Sequence, residues 1–305
     1  MECDAVFEGG GVRGIGLVGA LTCLEKEGFT WRRVAGTSAG AIIAALLVSG
    51  YKAKDMQNIL SHMNFLKFLD KHPSRRIPLI GTALGVLKEN GIYSGDYFEN
   101  WIYELLKNKG IIRFKDLCTD GDVKLRVVAS DITRKKPLIL PDDLSDYNID
   151  PMEFEVAKAL RMSMSIPFYF KPVKLEYKGG TSYIVDGGVS WNYPITIFDK
   201  NNISNTPVIG FKFKNPKSSY TSEGRTDPIA FLFDIAHTMA ARNIEGDLDE
   251  EDIKRTIFIP SMNVQVTEFN ISRQKSVEIF RAGYKAAKEF INNWDGGNLQ
   301  GPDIC

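Results

Sequence analysis

The chain has 305 residues, enough for one large domain or two modest ones built around a substantial hydrophobic core. Apolar residues make up 44% of it and charged residues 25%, a composition typical of globular proteins and unlike that of disordered or fibrous ones. Lysine plus arginine and aspartate plus glutamate both total 38, so the charge balance gives no reason to expect nucleic acid as a partner.

Cysteine usage and the apolar runs predict where the protein works. The four cysteines show no CxxC spacing, and we interpret them as reduced thiols. The first ten residues, MECDAVFEGG, contain acids where a signal peptide requires a basic start and an apolar stretch. The longest apolar run, residues 41–48, is too short to span a bilayer. We therefore expect a cytoplasmic protein without a signal peptide or transmembrane segment, with peripheral membrane association as an open alternative.

Strands and helices alternate along the first fifty residues. A strand at 4–8 stops at three glycines, and apolar residues then recur at three-residue steps from Gly14 until Gly28 closes the predicted helix. A second strand at 32–36 is followed by a helix at 39–50 that is apolar on all sides. This alternation with short connections predicts an α/β fold, with a mostly parallel central sheet and helices on both faces.

The same alternation continues to the end of the chain. We predict further strands at 123–131, 182–188, 207–213 and 256–260, and helices at 151–165, 228–243 and 272–294. Asp150 is the predicted N-cap of the helix at 151–165, with Pro151 in its first position. No linker or repeat separates these elements. We predict a single domain over 1–305, with a motif-bearing core at about 5–200 and the elements of about 201–295 packed on it.

A Gly-x-Ser-x-Gly pattern, GTSAG at 36–40, places Ser38 at a strand-to-helix junction. In such a turn the serine hydroxyl is lifted clear of the sheet, and the glycines let strand and helix approach without a Cβ clash. The N-terminus of the following helix directs its positive dipole end at the serine. The pattern predicts a nucleophilic serine; the alternative is a tight turn with a capping serine.

A glycine-rich turn, EGGGVRG at 8–14, lies one strand before the serine. Backbone amides at such a turn can stabilise an oxyanion, and adjacent parallel strands bring this turn and Ser38 to the same sheet edge. Arg13 could orient the loop or form a surface ion pair. The glycine spacing also fits a dinucleotide fingerprint, but that requires an acid after the second strand, and residues 30–47 contain none.

The three histidines are poor candidates for a catalytic base. His62 and His72 lie in a segment of alternating basic and apolar residues. His237 comes late enough in the chain for a Ser–acid–His order, but its apolar surroundings favour a packed histidine over a catalytic one.

A carboxylate is the better candidate for the base. Asp186 follows a predicted strand and precedes two glycines, which predicts a position at the same sheet edge as Ser38. An aspartate in water has a pKa near 3.9 and is a weak base, but burial in a dry cleft raises the pKa. A Ser38–Asp186 dyad is chemically reasonable; the alternative is an Asx-type turn at the end of a strand.

Three motifs in this order, GGGVRG at 9–14, GTSAG at 36–40 and DGG at 186–188, closely resemble those of the patatin-like phospholipase family. ALRMSMSIPFYFKPV at 159–173 and VVASDITRKKPLIL at 127–140 are similar to further segments of that family. The resemblance covers most of residues 5–200. It implies a three-layer architecture related to the α/β-hydrolases and a lipid acyl hydrolase with a Ser/Asp dyad.

The resemblance also assigns roles to residues. Ser38 becomes the nucleophile and Asp186 its base. The oxyanion hole falls on Gly9, Gly10, Gly11 and Arg13, with the amides of Gly10 and Gly11 as donors; the remaining motif glycines are Gly14, Gly36, Gly40, Gly187 and Gly188. No cofactor or metal is implied. The expected partner is a phospholipid or other acyl lipid at a membrane surface, not nucleic acid.

Alternatives to the hydrolase remain open at this point. One is a catalytically silent lipid-binding or regulatory protein on the same fold, and a weaker one is a dinucleotide-binding protein that uses the Gly9–Gly14 turn. Residues 63–92 place apolar side chains beside basic ones, which suits a cap that touches a lipid surface. The alternative for this segment is a set of helices packed over the sheet.

Overall fold

The structure is a computed structural model, and it describes residues 1–63, 65–68, 91–199, 206–214, 248–266 and 268–294. The predicted helix at 228–243 lies outside these ranges, as do His72, His237 and most of the segment 63–92.

Each predicted strand, and each predicted helix within the described ranges, has a counterpart in the structure, which also contains strands and helices that were not predicted. The strands are β1 (Glu2–Phe7), β2 (Thr30–Thr37), β3 (Gly91–Tyr93), β4 (Cys118–Thr119), β5 (Asp122–Val123), β6 (Leu125–Asp131), β7 (Lys136–Leu140), β8 (Phe168–Phe170), β9 (Val173–Tyr177), β10 (Gly180–Asp186), β11 (Val208–Lys214) and β12 (Thr256–Pro260). The helices are α1 (Ile15–Lys26), α2 (Ala39–Val48), α3 (Ala53–His62), α4 (Asp96–Lys107), α5 (Val156–Ser163), α6 (Glu250–Lys254) and α7 (Arg273–Asn293). Short 3-10 helices lie at Gly11–Gly14, Phe65–Phe68, Phe114–Leu117, Asp142–Tyr147 and Gly187–Val189.

Eight of these strands form one mixed sheet in the order β12-β11-β1-β2-β6-β10-β9, with β7 also paired to β6. The strands from β12 to β6 are mutually parallel, whereas β10 runs antiparallel to both β6 and β9. The fold is therefore α/β with a mostly parallel sheet flanked by helices, as the sequence predicts. Because β11 and β12 extend this sheet, these two described strands after residue 200 belong to the same sheet as the strands that carry the motifs.

The two faces of the sheet are buried by different parts of the chain. On β1 and β2, Phe7 and Val34 belong to the large core that includes α1, α2, α5 and α7, while Val6 and Ala35 point to the other face. There they pack with a smaller group made of Tyr193, Ile195, Phe198 and Val208. The alternation along each strand is what a sheet covered on both sides requires.

The prediction of a helix over 151–165 is only partly right, because α5 begins at Val156 with Glu155 as its N-cap. The carbonyls of Met152 and Phe154 accept hydrogen bonds from the amides of Lys115 and Phe114, at 3.1 Å each. Backbone groups engaged in this tertiary pairing are not available for an earlier helical turn. Asp150 and Pro151 are therefore not the cap and first position of this helix.

No helix within the described ranges is both long and apolar enough to cross a membrane. Cys3, Cys23 and Cys118 are free thiols, and Cys305 lies outside the described residues.

Candidate active site

Ser38 forms the sharp turn between β2 and α2. Its backbone has φ 52° and ψ −123°, a conformation that L side chains rarely adopt and that is held only where the surroundings enforce it. Ser163 on α5 supplies part of this enforcement: its Oγ accepts the Ser38 amide at 2.8 Å and donates to the carbonyl of Val128 at 2.6 Å. The strained turn is thus tied to the neighbouring strand β6.

The two glycines that flank Ser38 allow the backbone to close around it. A Cβ on Gly36 would lie 2.4 Å from the carbonyl carbon of Gly40, and one on Gly40 would lie 2.5 Å from the carbonyl oxygens of Phe7 and Glu8. Any side chain at either position would force β1, β2 and α2 apart. The two glycines of GTSAG are therefore required by steric contacts with the neighbouring backbone.

Asp186 ends β10 with its backbone held on both sides. Its amide donates to the carbonyl of Ser165 at 2.9 Å, and its carbonyl accepts from the hydroxyl of Ser130 at 2.9 Å. The carboxylate Oδ1 accepts the Gly188 amide at 2.7 Å. Burial raises the pKa of Asp186 from its ordinary value of 3.8 to about 6, although hydrogen bonds from Gly188 and the Ser38 hydroxyl act in the opposite direction.

Ser38 and Asp186 meet at one point of the sheet, although their strands run in opposite directions. Thr37 pairs with Val128 on β6, and Asp186 pairs with the next residue, Ala129. The sequence predicted Asp186 at the sheet edge where Ser38 lies. In the structure, β6 extends beyond β2, and the antiparallel strand β10 runs back along β6 to bring Asp186 there. The two side chains are 8% and 7% exposed, so the meeting point is shielded from water.

The second carboxylate oxygen of Asp186 is available to a proton. Oδ2 is buried and, among the described residues, has no partner that meets full hydrogen-bond geometry. The Ser38 hydroxyl is nevertheless close enough to lower the pKa of the carboxyl by hydrogen bonding. Catalytic hydrogen bonds are often long or poorly aligned before substrate binds, so this geometry is compatible with proton transfer from Ser38 to Asp186.

The glycine-rich turn follows β1, and its backbone amides differ in whether they are hydrogen-bonded. The Gly9 amide donates to the carbonyl of Asn192 at 3.1 Å and is thereby occupied. The amides of Gly10 and Gly11 have no hydrogen-bond acceptor in the described part of the chain. Gly11 has φ 54°, and a Cβ there would lie 2.0 Å from the carbonyl oxygen of Val266, so only glycine fits. Of the predicted oxyanion donors, the geometry therefore favours Gly10 and Gly11 and does not favour Gly9.

Arg13 folds back onto the same turn. Its backbone amide and its Nε donate to the carbonyl of Gly10 at 3.1 and 3.3 Å. The guanidinium carbon lies 4.7 Å from the centre of the Phe213 ring, which also packs against Gly10. These contacts suit a residue that shapes the turn.

An apolar cavity that opens to solvent adjoins Ser38. Its lining comes from the glycine turn, the first turn of α2, the end of α3, the Phe65–Phe68 helix and α4. The described residues that line it are Gly11, Val12, Gly14, Ile15, Ser38, Ala39, Ile42, Ile43, Leu60, Met63, Phe68, Phe98, Trp101, Met164, Ile166, Phe170 and Phe269. None of these side chains is charged. Phe98 is fully buried and packs edge-on against Phe68, with 5.5 Å between the ring centres.

Comparison with known proteins places this chain in a family. Residues 5–199 match the family Patatin, described as patatin-like phospholipase. The protein YqhO of Bacillus subtilis (strain 168) is 37% identical over 294 residues, which cover 96% of this chain and 99% of YqhO. The chain belongs to the patatin-like phospholipase family.

A viral protein is a further relative of this patatin-like protein, and two bacterial structures share its fold. The probable lipid hydrolase 463L of Invertebrate iridescent virus 6 is 30% identical over 197 residues, 63% of this chain and 61% of 463L. VipD from Legionella pneumophila superposes with a TM-score of 0.57 at 17% identity, over 96% of this chain and 67% of that one. ExoU–SpcU of the Pseudomonas aeruginosa type III secretion system superposes with a TM-score of 0.54 at 18% identity, over 96% and 52%. Both structures share its fold.

Several residues that shape this patatin-like site were missed by the sequence analysis. Glu8 is buried beneath the glycine turn, where its carboxylate accepts from Lys212 Nζ at 2.8 Å and from the Phe213 amide at 2.5 Å. Ser163 and Asn192 reach the serine and glycine turns from distant parts of the chain. An acid that ends an apolar strand directly before a glycine turn was the one available signal for Glu8.

The described histidine lies on the surface. His62 is exposed at the end of α3, and its Nδ1 contacts the carbonyl of Asn58 at 2.8 Å.

Proposed function

We propose that this patatin-like protein is a serine-dependent lipid acyl hydrolase. It cleaves carboxylic esters of phospholipids or related acyl lipids through an acyl-enzyme on Ser38, with Asp186 as the general base. The observation that carries the proposal is the buried carboxylate of Asp186, with a pKa raised to about 6, close to the hydroxyl of a serine on a strained turn. A base of this strength is still mostly deprotonated at neutral pH and accepts a proton better than an exposed aspartate does.

The proposed acylation step moves one proton and one acyl group. Asp186 accepts the proton of Ser38 Oγ as Oγ attacks the ester carbonyl carbon. The amides of Gly10 and Gly11, already unpaired among the described residues, stabilise the developing oxyanion. Collapse of the tetrahedral intermediate breaks the bond to the alcohol, and Asp186 returns the proton to the departing alkoxide. The products are the free alcohol and the acyl-Ser38 ester.

Deacylation repeats these steps with water. Asp186 takes a proton from a water molecule, which attacks the acyl-Ser38 carbonyl at the same oxyanion donors. The second intermediate releases the carboxylic acid, and the proton returns to Ser38 Oγ. One residue thus acts as base and then as acid in each half of the reaction.

The apolar cavity supports an acyl chain as the part of the substrate bound beside Ser38. Its described lining carries no charge, so a hydrocarbon chain is accommodated there and a charged head group is not. Each buried methylene contributes about 0.8 kcal/mol to binding, which makes chain length a strong determinant of affinity. The head group would then lie toward the open mouth of the cavity.

The proposed setting is a cytoplasmic enzyme that acts peripherally at a membrane. Leu66 and Tyr97 are 52% and 39% exposed, and both belong to elements that contribute Phe68, Phe98 and Trp101 to the cavity wall. Exposed apolar side chains on the elements that form an acyl cavity favour contact with a lipid surface.

The test is ester hydrolysis by the purified full-length protein, with phosphatidylcholine vesicles and a soluble p-nitrophenyl ester as substrates. Ser38→Ala and Asp186→Asn are expected to lower kcat at least about 1000-fold, because nucleophile and base act as one unit. His237→Ala, the matched control, is expected to keep wild-type turnover. Vesicle binding without Ser38-dependent turnover would instead identify a silent lipid-binding protein.

A further inference from the structure

Asn192 lies between the two glycine-bearing turns of the proposed site. Its side-chain Nδ2 is 3.4 Å from Glu8 Oε1 and 3.4 Å from the carbonyl oxygen of Gly9. Both neighbours are acceptors, so the amide nitrogen must face them and Oδ1 must point the other way. The backbone carbonyl of Asn192 accepts the Gly9 amide at 3.1 Å. One residue therefore holds the start of the oxyanion turn through its main chain and its side chain.

The side chain of Asn192 also occupies space that two motif glycines leave open. A Cβ on Gly9 would lie 2.3 Å from Asn192 Oδ1, and one on Gly188 would lie 3.0 Å from the same atom. The amide group is thus packed between the turn that carries the oxyanion donors and the turn that follows Asp186. The packing of Asn192 therefore favours glycine at positions 9 and 188, independently of any contact with substrate.

The segment that carries Asn192 is tied to the other parts of the site. The Trp191 amide donates to the carbonyl of Gly187 at 2.8 Å, which closes the turn after Asp186. The carbonyl of Trp191 accepts the hydroxyl of Thr37, the residue before Ser38, at 3.0 Å. Serine turn, base turn and glycine turn therefore meet on the short stretch from Gly187 to Asn192.

We infer that Asn192 is a positioning residue that sets the amides of Gly10 and Gly11 at a fixed place relative to Ser38 and Asp186. This inference rests on the proposed function. Asn192 is not among the residues that line the acyl cavity, so it acts on the oxyanion turn and not on substrate binding. A displaced turn weakens stabilisation of the tetrahedral intermediate and leaves ground-state binding of the acyl chain unchanged.

Two variants distinguish the packing of the Asn192 side chain from its hydrogen-bond donor. Asn192→Ala removes both the packing and the donor. Asn192→Asp keeps the volume but replaces the donor with a carboxylate beside Glu8. The matched control is Asn293→Ala, which removes an asparagine whose Nδ2 donates to the carbonyl of Glu289 at 3.0 Å near the end of α7.

The measurements are kcat and KM on a soluble ester, with active sites counted by a fluorophosphonate burst, together with Tm. For both Asn192 variants we expect kcat per active site to fall about 10-fold to 1000-fold, the range found when an oxyanion donor is lost, with KM within about 2-fold of wild type. For Asn192→Ala the mid-point of the acidic limb of the pH profile should not move, whereas the added carboxylate of Asn192→Asp should shift it upward. Asn293→Ala should keep wild-type kcat at whatever Tm it shows.

The possible failures are distinct. If either Asn192 variant keeps kcat per active site within about 2-fold of wild type, even with a lowered Tm, Asn192 supports the fold only and the inference is wrong. An increase of KM with kcat unchanged would also overturn it. A wild-type protein without turnover, or turnover that survives Ser38→Ala, overturns the proposed function and the role of Asn192 together.

Discussion

The buried carboxylate of Asp186 should cost the protein stability at neutral pH. Its pKa is about 6 in the folded chain, compared with the ordinary 3.8, a difference of roughly 2 units at 1.36 kcal/mol each. Because the folded state binds the proton more tightly, it is favoured below pH 3.8, and this contribution is lost as the pH rises through about 6. Replacing Asp186 by the neutral, isosteric asparagine removes the pH-dependent term.

The expected result is a difference in unfolding free energy that changes with pH. Relative to wild type, Asp186→Asn should gain about 2 to 3 kcal/mol between pH 4 and pH 8, with most of the gain between pH 4 and pH 6. Urea denaturation of both proteins at five pH values over this range measures it, and m-values should agree. Using the change with pH cancels the constant effect of altered hydrogen bonds to Gly188 and Ser38.

Asp131→Asn provides a control of opposite sign. Burial alone would raise the pKa of Asp131, but hydrogen bonds from the Tyr147 hydroxyl at 2.7 Å and from the amides of Arg134 and Thr133 at 2.8 Å each outweigh it, and the pKa is lowered. This variant should be less stable than wild type by a nearly constant amount between pH 4 and pH 8, with a deficit that shrinks only as the pH falls below about 4. If Asp186→Asn shows a pH-independent difference, or the same sign as Asp131→Asn, the reasoning about Asp186 is refuted.

Three further predictions follow from the site geometry. The kcat/KM of wild type should rise with pH and level off above about 6, because Asp186 acts as the deprotonated base; a profile flat from pH 4 to pH 8 would contradict this. Phe98→Ala should shift the preference within a p-nitrophenyl ester series toward longer acyl chains, because it removes a large side chain from the cavity wall. Phe114→Ala, also buried but not in the cavity wall, should not shift it. Gly40→Ala should lower the unfolding free energy by about 1 to 3 kcal/mol, because its Cβ would lie 2.5 Å from two carbonyl oxygens. Urea titrations measure this loss, and a loss below about 0.5 kcal/mol would count against the clash.

The parts of the site that the sequence predicted are those set by local backbone geometry. Close backbone contacts beside the serine require glycine at positions 36 and 40. At position 11, a positive φ and the nearby carbonyl of Val266 require it. Such requirements leave a pattern in a short stretch of sequence. The strand-and-helix order was predictable for the same reason, because each element carries its own periodicity.

The parts that the sequence did not predict depend on contacts between distant residues. Ser163 reaches the amide of Ser38 across 125 positions, and Asn192 reaches the carbonyl of Gly9 across 183. β10 pairs antiparallel with β6, and this pairing brings Asp186 to Ser38. The sequence predicted that the two residues lie close together, but not that an antiparallel strand brings them together. The helix predicted from residue 151 was shortened by tertiary hydrogen bonds that no local pattern reveals.

The most direct test is to find which residue a covalent probe labels and whether the labelling requires Asp186. Full-length wild type, Ser38→Ala, Asp186→Asn and His237→Ala are treated with a fluorophosphonate probe, and the adduct is mapped by peptide mass spectrometry. The account predicts an adduct on Ser38 in wild type and in the histidine variant, and none in the other two. Strong labelling of Asp186→Asn, or an adduct on any other residue, would contradict the Ser38–Asp186 dyad.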